Sequence, residues 1–216
     1  GDGLTSGERN VLIGSNAGDA ITTAEYCVAV GHGALSAEDT YGRTTAVGYK
    51  ALNVQNTGSV SYNVAVGYEA GLLVSTGIEN TLIGGRAGDA LTTGSYNIAI
   101  GVDALDAEDT GSRNIAIGYN SLKSLNYDGN GYNVAVGFEA GKAMSTGVEN
   151  IIVGGLAGDA LTTGSYNVAM GSLALSTEDT GSRNTAIGNR ALNSLNYDGN
   201  GYNTAVGFDA GLSLDT

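Results

Sequence analysis

The sequence predicts an all-β chain folded as a parallel β-solenoid, or β-roll, of about twelve rungs of 17–19 residues each. Three observations predict it. A glycine closing a short apolar run returns at near-constant spacing. The residues before that glycine alternate large and small with the period of a strand. No useful length of chain carries apolar residues at helical spacing, and glycine, 36 of 216 residues, recurs too densely for helix.

The anchor glycines are Gly14, Gly31, Gly48, Gly67, Gly84, Gly101, Gly118, Gly137, Gly154, Gly171, Gly188 and Gly207. Spacings of 17, 17 and 19 residues alternate with further 17s so that four rungs make a 70-residue block, and the block occurs three times. "AGDALTTGSYN" at 87–97 returns at 157–167, and "SLNYDGNGYN" at 124–133 returns at 194–203. A 17-residue rung has too little apolar surface to fold alone, so the rungs must stack. At about 4.8 Å per rung the stack is a rod of roughly 55–60 Å.

Each rung is read in order from its first column. Arg, Tyr or Glu stands five places before the glycine, with Tyr on every even rung. Asn follows in ten of twelve rungs, with Cys27 and Thr44 the exceptions, and stacked amides predict a hydrogen-bonded ladder. Two aliphatic positions then flank a small one, usually Ala. This alternation is read as large side chains filling the interior and an Ala face that allows close approach from outside. At Leu12, Leu82 and Ile152 the small position is large, so something apolar is expected to cover that face as well. After the glycine come Ala (once Ser121) and then Gly, Leu, Leu, Gly in strict order, read as a short second strand, for example "DAL" at 103–105. The two-residue insertions keep to one edge, at 53–62, 123–132 and 193–202, the expected exposed loop edge. The whole chain is read as one solenoid domain, 1–216. Its ends, "TSGERN" at 5–10 and "GFDAGLSLDT" at 207–216, align with the middle of other rungs, and the expectation is a segment of a longer fibrous protein.

Composition narrows the function classes. A net charge of -13 opposes nucleic acid and anionic membrane surfaces. No stretch approaches the ~20 apolar residues of a membrane-spanning helix. A single Cys excludes an intramolecular disulfide and a Cys-based zinc site. No nucleophile elbow, paired-histidine zinc motif or P-loop occurs.

The unit N-[VIT]-A-[VIM]-G resembles the head repeats of trimeric autotransporter adhesins. It resembles still more the "GxxNTAIGxxAL" repeats of phage and prophage tail fibres and tailspikes. "SRNTAIGNRAL" (182–192), "SRNIAIGYNSL" (112–122) and "YNVAVGYEAG" (62–71) carry the likeness, which spans nearly the whole chain. The resemblance implies a homotrimeric fibre segment, with three rolls packed around an axis and their Ala faces inward. The rungs here are longer than those of the adhesin heads.

Several residues are candidates for chemistry. Tyr26, Tyr62, Tyr96, Tyr132, Tyr166 and Tyr202 form a column at about 9.6 Å intervals. Aromatic faces beside charged groups suit host-surface glycan; the competing reading is packing, with Arg over the rings. Asn126, Asp128 and Asn130, repeated as Asn196, Asp198 and Asn200, have the alternate spacing of a calcium loop but lack its closing Glu, and the same residues make plain turns. No other cofactor is expected. The carboxylates of "AEDT" at 37–40 and 107–110, and of its counterpart "TEDT" at 177–180, are read as solvated. Cys27 and His32 are not expected to converge into a dyad. Thr22–Thr23, Thr92–Thr93 and Thr162–Thr163, recurring every fourth rung, are too sparse for an ice-binding plane.

The resulting expectation is a non-catalytic structural and adhesive segment of a virion tail fibre or tailspike, self-associated as a trimer and supporting host attachment. The alternatives are the head of a bacterial trimeric surface adhesin and the non-catalytic part of a polysaccharide-degrading tailspike. An enzyme on the same rod is the competing class.

Overall fold

A computed structural model describes residues 3–214. The last two residues of the C-terminal "GFDAGLSLDT" stretch lie outside it. Twelve three-residue strands are the only regular elements among the described residues: β1 (Val11–Ile13), β2 (Val28–Val30), β3 (Thr45–Val47), β4 (Val64–Val66), β5 (Thr81–Ile83), β6 (Ile98–Ile100), β7 (Ile115–Ile117), β8 (Val134–Val136), β9 (Ile151–Val153), β10 (Val168–Met170), β11 (Thr185–Ile187) and β12 (Thr204–Val206). They form one parallel sheet in sequence order, β1 to β12. The register never slips: Ile98 pairs with Ile115, Ala99 with Ala116 and Ile100 with Ile117. This is the expected β-solenoid, one strand per rung.

The facing of the strands is the reverse of the expectation. In β6, Ala99 is fully buried while Ile98 and Ile100 are partly exposed, and the same inward Ala recurs along the sheet. The interior of a 17-residue coil is narrow. Across from the strand, Leu35, Leu52, Leu105, Leu122, Leu175 and Leu192 already fill it from the corner after the glycine, so only a methyl fits opposite. At the first glycine corner of each block the strand residue grows, to Leu12, Leu82 or Ile152. A Cβ on Gly88 would lie 2.8 Å from a methyl of Leu82, and one on Gly158 would lie 2.9 Å from Ile152. Leu82 also leans over Gly71 one rung earlier, where a Cβ would meet it at 2.6 Å. The order Gly, Leu, Leu, Gly is therefore a size complement to Leu or Ile, Ala, Ala, Ala in the strand. No outside cover is needed at Leu82 or Ile152, because both point inward and are fully buried.

The expected second strand at 103–105 is absent. Asp103 and Leu105 both have φ near +55°, which breaks an extended run and turns the chain. The corner still bonds between rungs, with Asp103 N–H donating to Gly85 and Leu105 N–H to Ser121.

The Asn column is a ladder of a different kind from stacked amides. Each side-chain oxygen accepts the backbone N–H of the Asn one rung on: Asn97 donates to Asn80 and Asn114 to Asn97, both at 2.9 Å. Most of the amide nitrogens reach a glycine carbonyl of the following rung, as Asn97 does to Gly111 at 2.8 Å. Direct amide-to-amide bonds occur only at the longer rungs and beside them, for example Asn133 to Asn114 at 3.2 Å. Cys27 and Thr44 interrupt the column. There Gln55 reaches in and donates to Glu38, Thr44 and Ser61, while Asn63 donates to Gln55.

Candidate functional site

The most unusual surface is the outer face of the sheet. The two aliphatic columns that flank the inward Ala project from it, including Ile13, Val66, Ile83, Ile151, Met170 and Val206, all exposed large apolar residues. Aromatic rings continue this face beyond the anchor glycines. His32, Tyr49 and Tyr68 stack in series at 5.5 and 5.2 Å, and Tyr119 stacks on Phe138 at 5.5 Å. Parallel sheets ordinarily bury both faces, and contiguous exposed apolar surface of this kind marks an interaction site. Because the Ala side chains are buried inside the coil, they are unable to form a seam between chains.

The tyrosine column stands at the corner leading into the sheet. Arg113 lies over Tyr96 at 5.0 Å and over Tyr132 at 5.8 Å. Arg183 is held in the same way by Tyr166 and Tyr202. Tyr26 has Arg9 on one side at 5.2 Å and Arg43 at 5.6 Å. Among the described residues no cation lies over Tyr62. The packing reading thus accounts for five of the six rings, whose faces are shared with guanidinium groups.

The "NYDGNG" loops are clipped to the rung before them. Thr110 donates to Asp128 at 2.7 Å, and Thr180 to Asp198 at 2.7 Å. Arg113 and Arg183 donate to the side-chain oxygens of Asn130 and Asn200. Asn126 is tied by its backbone N–H to Ser145. Asp128 and Asp198 are thus engaged by threonine hydroxyls, and Asn130 and Asn200 by guanidinium groups. Among the described residues no group of three or more His, Cys, Asp or Glu could hold a metal ion.

The "AEDT" loops correct a second expectation. Glu38, Glu108 and Glu178 are fully buried rather than solvated. They occupy the core column that elsewhere holds Ile21, Leu91 and Leu161. Glu108 accepts from the N–H of Gly111 at 2.7 Å and from that of Tyr127 at 3.1 Å, so it pins the long loop of the next rung. Glu178 does the same with Gly181 and Tyr197. Burial pushes the Glu38 and Glu108 carboxyls above the ordinary range. Sequence reading missed this because position, not residue type, marks the column.

Two ionic groupings are confined to the second block. Asp103 pairs with Arg86 at 2.5 Å and Lys123 at 2.9 Å. Burial opposes its ionisation, but those hydrogen bonds and charges outweigh it and hold the carboxyl below its usual value. Asp89 is pushed up to about 7 by burial and by Asp106 beside it.

Cys27 is buried, its thiol raised chiefly by desolvation, while His32 stacks outside on Tyr49. Threonine is denser than the paired count suggested. It stands nine places after the anchor glycine in nine rungs from Thr23 to Thr180, but Thr40, Thr110 and Thr180 spend their hydroxyls on aspartates. No helix among the described residues is long and apolar enough to cross a membrane. Compared with protein-family profiles, curated proteins and solved structures, the chain matches none.

Proposed function

We propose that the chain is a structural and adhesive rod: a non-catalytic segment of a trimeric virion tail fibre or tailspike that supports host attachment. The observation that carries this reading is the outward aliphatic face of the sheet, which runs the length of the solenoid. A rod with one continuous apolar face solves its exposure by packing against copies of itself around a common axis, with the loop edges left outward. In-register stacking along all twelve strands supplies the stiffness such a shaft needs. The likeness of the repeat unit to tail-fibre repeats supports a virion setting. Its likeness to adhesin heads supports a bacterial surface as the second setting, and the neighbouring genes distinguish the two.

Sedimentation velocity tests the assembly. The expected species at micromolar concentration has three times the chain mass and persists on mild heating. A stable monomer overturns the proposal.

A further inference from the structure

The three blocks build the same corner three times, and one copy is left open. In blocks two and three the corner arginine donates to a loop asparagine, Arg113 to Asn130 and Arg183 to Asn200, and the corner threonine donates to a loop aspartate. In the first block Val60 stands where Asn130 and Asn200 stand, and Gly58 where Asp128 and Asp198 stand. Arg43 keeps its ring contact with Tyr26 but, among the described residues, its side chain makes no hydrogen bond and no ion pair. Two further differences fall in the same place. Tyr41 replaces Gly111 and Gly181, and Glu25 replaces Ser95 and Ser165. All four block-specific features except Gly58 line one open cleft of about 160 Å³, together with Thr23 and Thr40. The Tyr41 ring is 41% exposed and, unlike Tyr26, is stacked on nothing among the described residues.

We propose that this cleft binds one pyranose unit of a neutral glycan. The Tyr41 ring offers an apolar face for the sugar's C–H surface. Arg43 donates to one ring hydroxyl, and Glu25 accepts from its neighbour. A donor and an acceptor side by side suit a vicinal diol, which presents both lone pairs and protons. Glu25 in the lining and a net charge of -13 count against an acidic sugar. A shallow site of this size binds weakly, with a Kd of about 1 mM or above, and gains strength only when several chains present it together. The glycan setting rests on the attachment reading above, but the test is independent of assembly.

Saturation-transfer NMR on the full chain tests it. The probes are the methyl glycosides of glucose, mannose, galactose and N-acetylglucosamine, with glucuronate as the acidic arm. At least one neutral glycoside is expected to receive saturation on its ring protons. Val60→Asn installs the acceptor that occupies the equivalent arginines, and Tyr41→Gly restores the residue of the other blocks. Both substitutions copy what blocks two and three already tolerate. Each should cut the transfer about tenfold, a loss of about 1.4 kcal/mol, with the circular dichroism spectrum unchanged. Absence of transfer to every neutral glycoside, transfer to glucuronate alone, or transfer unchanged in either variant overturns the proposal. A rod that sediments as a trimer yet binds no sugar refutes this site and leaves the structural reading standing.

Discussion

At Gly101 the backbone has φ +135°, and a Cβ would lie 2.4 Å from the carbonyl oxygen of Gly118 one rung away. Every anchor glycine before the last meets its successor in the same way, so the column is required both by conformation and by the closeness of the coils. Gly101→Ala should cost about 3 kcal/mol or more, read as a lower urea midpoint. Gly155→Ala, where nothing lies within 4 Å, should stay within about 0.5 kcal/mol. The importance of the anchor glycine was legible in its recurrence. The cost hidden in the other corners was not: twenty-nine non-glycine residues among those described have positive φ, leucines such as Leu105 and Leu122 included. Nothing in a leucine's chemistry announces a left-handed backbone, which costs roughly 1–2 kcal/mol per residue. A bond to the following rung holds it there, from Leu105 N–H to Ser121 and from Leu122 N–H to Ala140.

A rung is an element only in company, and its buried polar groups show why. Both ends of the buried Asn97 amide are used: its oxygen accepts from Asn114 N–H and its nitrogen donates to the Gly111 carbonyl. Asn97→Ala would strand both inside the stack, at a cost of about 2–4 kcal/mol, measured by denaturant unfolding. Asp89 gives a pH signature of the same stacking. Its pKa, raised from 3.8 to about 7, means the folded rung keeps a proton that the unfolded chain has already released. That contribution is complete at the acid end and is lost as pH climbs to 7. The urea midpoint should therefore fall between about pH 4 and pH 7, and the fall should shrink in Asp89→Asn. The alternation of large and small in each strand was readable, but which side faced inward was not. Both faces of "IAI" look plausible until the leucine arriving from the far corner takes the interior volume. The same holds for the "AEDT" glutamates, whose burial follows from their place in the Leu91 and Leu161 column.

For the whole molecule, twelve stacked strands and the three-block order follow from spacing alone, whereas the outward aliphatic face, which the proposed assembly would use, does not, because it depends on the inversion just described. Ile100→Lys combined with Ile117→Lys places two charges on that face at positions that are partly exposed in the single chain. The variant should keep its β-sheet spectrum and sediment as a monomer; retention of the parent's mass would locate the seam elsewhere. The complement between strand and corner sizes has a further consequence, for how such a rod can change length. Leu82 serves two glycine corners, its own at Gly88 and the earlier one at Gly71, so rungs are not interchangeable neighbours. Excising the fourth rung of a block sets a leucine corner beneath a strand that needs a glycine one, excising the first leaves a void where two small residues meet, and excising either middle rung of the later blocks separates "EDTGSR" from the "NYDGNG" loop it clips. Excising 70 residues restores every neighbour to its kind, including the "EDTGSR" and "NYDGNG" partners at corresponding places in the later blocks. The solenoid behaves as a ruler graduated in fours: recombination between its copies can lengthen or shorten it only by whole graduations, and intermediate lengths are filtered out by packing before any function is asked of them.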